Sequence, residues 1–149
     1  MRHRRHNRLP RGLRRSIHGL TTLLVLSGAG WLVVAYLLAP MGEPTPAPHP
    51  WGGPLLAVHG VAAYAALLAC GLVGHAHLRI GWQLPGLRGP GASLCAVMAA
   101  LALSGLGFYY SANEAALPWL RWGHVAAGVA LPLALALHIA RGRRATGHR

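Results

Sequence analysis

Four stretches of this chain are almost continuously apolar, roughly residues 17–39, 54–78, 91–111 and 118–140, and short polar links separate them. A helix rises 1.5 Å per residue, so crossing a hydrocarbon layer takes about 20 apolar residues, and each run supplies that many. Short links make sequential helices neighbours. The pattern therefore predicts an all-α fold: an integral membrane four-helix bundle in up-and-down order, one transmembrane domain over residues 17–140. A basic segment, 1–16, precedes it and a basic tail, 141–149, follows. No stretch remains for a separate soluble domain, so a soluble catalytic partner has to be another chain.

Composition agrees with that solvent. The chain has 149 residues, 54% hydrophobic and 11% charged, with a mean hydropathy of +0.40, a balance foreign to soluble domains of this size. The arginine-rich start MRHRRHNRLPRGLRR resembles the charged region of a secretory signal. The apolar run behind it is longer than a signal core, and the small-residue spacing of a cleavage site is not clear around Leu37 to Pro40, so the run is read as helix one.

Charge sets the expected orientation. All 14 basic residues are arginines: seven precede helix one, Arg79 and Arg88 fall in the second link, and Arg141, Arg143, Arg144 and Arg149 lie in the tail. Both acids, Glu43 and Glu114, fall in the other two links, and only Arg121 breaks the pattern. Positive residues stay on the cytoplasmic side, which places both termini there. The formal charge of +12 also raises nucleic-acid binding. The arginines flank spans, where they suit anionic headgroups, and the expected partner is membrane lipid and not nucleic acid. Tyr36, Trp51, Tyr109, Tyr110, Trp119 and Trp122 gather at the expected outer interface and Trp82 at the inner one. The outer link APMGEPTPAPHPWGG is proline-rich and should be extended, with His49 a plain loop residue.

A weak repeat runs through the apolar segments. LSGAGW at 26–31 in helix one matches LSGLGF at 103–108 in helix three, and HGVAAYA from His59 in helix two matches HVAAGVA from His124 in helix four. The chain then reads as two similar helical hairpins, with His59 and His124 equivalent. Cys70 and Cys95 fall within spans in no metal or haem-attachment pattern and are expected to be buried thiols. Thr21, Thr22 and Ser27 are expected to bond to their own helix carbonyls.

Histidines carry the candidate chemistry. An ionisable group in a span has to face the bundle interior or a wet cavity. Under the orientation above, His59 and His124 share a level near the outer surface, and His18 and His138 share one near the cytoplasmic surface. His138 follows His124 by fourteen residues, about 40° short of four turns and about 21 Å of rise, so both project from one face at opposite depths. The same stripe continues through Gly128, Leu131 and Leu135 and should look into the bundle, with Gly128 leaving space beside it. A flat ligand held between imidazoles meets this arrangement, and b-type haem with two histidine ligands is the obvious one. Gly28, Gly30, Gly105 and Gly107 either let a macrocycle approach the backbone or serve close helix packing.

With these residues in place, the chain resembles the four-helix di-haem cytochrome b family that includes the membrane subunits of formate dehydrogenase and nickel-iron hydrogenase. The resemblance implies two haems b. Helix four gives a ligand to each, His59 pairs with His124 at the periplasmic-side haem, and His18 pairs with His138 at the cytoplasmic-side haem. It also implies a multi-pass protein of a bacterial-type inner membrane, moving electrons between a redox partner protein and the quinone pool as part of a respiratory chain. An electron-transfer subunit is expected rather than a self-sufficient enzyme. His77 is the substitute for His18. His75 and His77, with Arg79 and Gln83, are either interfacial groups or neighbours of a quinone pocket. Two histidines without a carboxylate or thiol make a poor zinc site. The competing expectation is a cofactor-free four-helix scaffold or anchor in which the histidines only join helices.

Overall fold

The computed structural model describes residues 10–38, 49–83 and 85–145, except for the side chains at 75, 76, 79, 80, 85, 87 and 145. The remaining N-terminal segment, most of the proline-rich outer link with Glu43, and Arg149 in the tail lie outside the described residues. Four helices account for nearly everything described: α1 Arg11–Tyr36, α2 Gly52–Trp82, α3 Pro85–Tyr110 and α4 Leu117–Ala145, with a single 3-10 turn at Glu114–Ala116 before α4. Among the described residues there is no strand. Each helix contains a stretch long and apolar enough to cross a membrane: Arg11–Tyr36, Gly52–Gly74, Arg88–Tyr110 and Glu114–Arg144.

The helices outrun the apolar segments, most of all at the second link. Arg79 lies in α2 and Arg88 in α3, and only residues 83 and 84 separate the two helices. Hydropathy marks the part of a helix that hydrocarbon can cover. The backbone continues past it through Gly81, Gly86, Gly89 and Pro90, residues of low helix propensity, so local preference does not account for the extension. Pro85 is suited to the first position of α3, where no N–H partner is needed. The Arg88 Nε donates to the Trp82 carbonyl at 2.6 Å, which satisfies a terminal acceptor of α2 and puts a cation at its negative end. Before α4, the Asn113 side chain accepts from the Ala115 amide at 3.0 Å and starts the 3-10 turn.

The chain divides into two compact units, Met1–His75 and Ala76–Arg149. In the first, α1 and α2 run antiparallel: Ser27 meets His59 while Gly30, further along α1, meets Leu55, further back along α2. In the second, α3 and α4 are antiparallel by the same test, with Gly91 near His138, Ser104 against His124 and Gly107 against Leu120.

Exposure is inverted relative to a water-soluble fold. The buried apolar residues are Val34, Ala62, Ala69 and Leu131, and Ser27 is the buried polar one, among the described residues. Leu68, Leu72, Val61 and Leu103, by contrast, are each more than two-thirds exposed. Helices apolar all round, packed at a thin polar-lined seam and apolar outside, fit a hydrocarbon solvent and not water. Cys70 and Cys95 belong to that outer surface. They are exposed and in no disulfide, which corrects the expectation of buried thiols: the span period turns both toward the outside.

Candidate histidine site

Two of the in-span histidines are held in the same way. The Nδ1 of His59, on α2, lies 3.0 Å from the Oγ of Ser27 on α1 and 3.1 Å from the Leu24 carbonyl. Ser27 itself donates to the Leu23 carbonyl at 2.7 Å. A hydroxyl has one proton, so with that proton committed to a carbonyl, Oγ can only accept from the ring. The Leu24 carbonyl accepts too. Both partners thus require a proton on the His59 Nδ1, and in the neutral ring the lone pair is then on Nε2.

His124 on α4 repeats this on α3. Its Nδ1 lies 2.8 Å from the Ser104 Oγ, and Ser104 donates to the Ala100 carbonyl at 2.6 Å. The same reasoning places the proton on Nδ1 and the lone pair on Nε2. Phe108 stands edge-on to this imidazole, ring centroids 5.6 Å apart.

The sequence repeat is therefore a repeat of contacts. A Cβ on Gly28 would sit 3.2 Å from the His59 Cε1, and one on Gly105 would sit 3.9 Å from the His124 Cε1. A Cβ on Gly30 would lie 3.3 Å from Leu55, and one on Gly107 would lie 3.0 Å from Leu120. Of the two readings these glycines allowed, close packing describes what they face: the imidazole and, one turn before it, a leucine of the neighbouring helix. Ser104, Leu55 and Leu120 escaped sequence reasoning, and Ser27 was credited only with its own helix carbonyl. That bond exists, as does Thr21 to Ile17 at 2.8 Å, but Ser27 also serves the ring. The signal for all of them was an S-G-x-G in one helix answered by L-x-x-x-H in the next.

The other candidate histidines stand in different settings. His138 is half-buried on α4, and its Nδ1 is fully buried with no hydrogen-bond partner among the described residues. Such an atom forfeits about 1–3 kcal/mol unless something else binds it. The His77 ring stands edge-on to it, centroids 5.8 Å apart. His18 is exposed on the first turns of α1 and Gln83 is exposed just beyond α2. The side chains of His75 and Arg79 lie outside the described residues. Along the α4 stripe, His124, Gly128, Leu135 and His138 are half-buried and Leu131 is buried, and nothing lies within 4 Å of a Cβ placed on Gly128.

Among the described residues no three metal-ligating side chains converge. A haem iron needs only two protein donors, and imidazoles whose Nδ1 is held by a neighbour, as at His59 and His124, are suited to that use, whereas His138 has no partner on Nδ1 among the described residues and has the Pro90 backbone beside its ring. No family model, no curated protein and no solved structure matches this chain.

Proposed function

We propose that this chain is a membrane b-type cytochrome that carries electrons across the bilayer through two bis-histidine haems, between a redox partner protein and the quinone pool. It lies in a bacterial-type inner membrane with both termini cytoplasmic. The observation that carries the reading is the pair of in-span imidazoles, His59 and His124, each presenting Nε2 as its lone-pair atom because Nδ1 donates to a serine. His59 and His124 would serve one haem. His138 would serve the other, with His18 as its partner by the family resemblance, or His77 by the ring contact of 5.8 Å.

Bound haem supplies the one-electron couple, and the protein's residues supply its setting. The histidines hold iron from neutral imidazoles. The apolar helix faces exclude water and keep the local dielectric low, which makes the potential sensitive to each polar group near the rings. Of the two acids, Glu114 stands at the very start of the last span and Glu43 falls in the first link of the sequence, so neither belongs to the apolar middle of a span where the histidines lie. This favours an electron-transfer subunit over a self-sufficient enzyme.

The test is the visible spectrum of the protein purified in mild detergent, oxidised and then reduced with dithionite, with a haem-to-protein ratio. A reduced b-type α band and about two haems per chain are expected, and His124→Ala and His138→Ala should each remove one. A protein that stays colourless after haem is supplied during expression would favour the second reading, a cofactor-free scaffold. The serine–histidine bonds also join helices, which is the whole role that reading asks of them.

A further inference from the structure

We infer that Ser27 and Ser104 are positioning residues for the axial ligands, holding His59 and His124 in one tautomer and one ring orientation and thereby setting how strongly each imidazole donates to iron. The inference rests on the cytochrome reading and adds to it the groups that tune the ligands. Serine in a helix interior commonly bonds back to its own carbonyls, and both residues do so. That alone would make them unremarkable structural residues. The difference lies in the direction of the remaining bond. Because each hydroxyl proton goes to a carbonyl, each oxygen is left as an acceptor, and each accepts from an imidazole Nδ1 at 3.0 and 2.8 Å.

Two consequences follow from that polarity. A hydroxyl whose proton is already donated is a better acceptor than an isolated one, since chained hydrogen bonds polarise one another. Its pull on the Nδ1 proton raises the basicity of Nε2, strengthens the bond to iron and favours the ferric state. At His59 the ring is also confined by Gly28, where an added Cβ would lie 3.2 Å from Cε1 and crowd the imidazole, whereas at His124 a Cβ on Gly105 would make only ordinary contact at 3.9 Å. Finding the serine–histidine bond twice, in two hairpins whose other residues differ, argues that the serine and the histidine work as one device. At His59 the Leu24 carbonyl is a further acceptor, so loss of Ser27 should have the smaller effect expected of a shared bond.

The test uses the full chain and isosteric variants. Threonine and valine have nearly the same shape, so Ser104→Thr and Ser104→Val differ essentially in the hydroxyl. Histidine-labelled protein without haem is examined first by 15N NMR of the imidazole nitrogens. Ser104→Thr should keep the proton of His124 on Nδ1, and Ser104→Val should give a mixture of tautomers. With haem supplied, Ser104→Val should weaken binding at that site by roughly 10–100-fold, the range of second-sphere losses. It should also raise the midpoint potential and broaden the low-spin ferric EPR signal, while Ser104→Thr restores all three. Haem bound equally well, at unchanged potential, by the valine and threonine variants would overturn the role of the serine while leaving the cytochrome intact. A wild-type protein that takes up no haem would instead overturn the cytochrome, and the tuning role with it.

Discussion

An imidazole inside hydrocarbon has two nitrogens to satisfy, and the residues nearest to it decide where the proton of the neutral ring sits. At His59 and His124 a serine on the adjacent helix decides it. At His138 the neighbour is another imidazole, His77, and the buried Nδ1 finds no partner among the described residues. On the proposed cytochrome reading, this contrast puts His77 and His18 to a direct test as the partner of His138. His77→Ala should remove the same haem that His138→Ala removes, leaving His18→Ala with both, if the ring contact identifies the pair. The opposite result, loss in His18→Ala alone, would return the assignment to the one the family resemblance implies. Haem content and the redox titration of each variant read the answer.

Each hairpin is assembled at a seam of small residues. A glycine inside a helix forfeits up to about 1 kcal/mol relative to alanine, so its presence has to be repaid by approach of the partner helix or it is simply tolerated. Both cases occur here. A Cβ on Gly107 would lie 3.0 Å from Leu120, whereas one on Gly71 would meet nothing within 4 Å. Gly107→Val should therefore overpack the α3–α4 seam and destabilise the protein by about 1–3 kcal/mol. Gly71→Ala should stabilise it by up to about 1 kcal/mol. Thermal unfolding of the two variants in the same detergent should shift in opposite directions, and a shift in the same direction would mean that the seam does not hold the hairpin. Helix ends follow a different rule from helix middles. The link expected over 79–90 shrank to residues 83 and 84, because hydropathy marks where the hydrocarbon layer ends and not where the helix ends.

For the whole chain the solvent is the governing fact. Residues such as Leu72 and Leu103 turn outward, and the arginines gather at helix ends, with Arg143 and Arg144 in the last turn of α4. The positive-inside rule makes a cytoplasmic location of both termini the expected orientation. Alkaline phosphatase fused after residue 149 should be inactive, and the same enzyme inserted in the outer link near residue 45 should be active in a bacterial host. The reverse pattern would invert the membrane and exchange the levels assigned to the two histidine groups, without altering which helix carries which histidine.

Four spans, the histidines they contain and the S-G-x-G repeat were all legible in the sequence, because partition into hydrocarbon is a sum over about 20 consecutive residues and needs no knowledge of neighbours. The inner stripe of α4 was legible for a similar reason, as helical period is a local property. What the tertiary structure decided is which side chain meets which. Each residue turns a helix by about 100°, so a small rotation of one helix against another exchanges the whole set of facing residues. Hydropathy is blind to that rotation in helices apolar on every side. Only the packed hairpins place Ser27 on His59, Ser104 on His124 and His77 beside His138. Those contacts set an oxygen against the Nδ1 of His59 and of His124, which composition and spacing leave open.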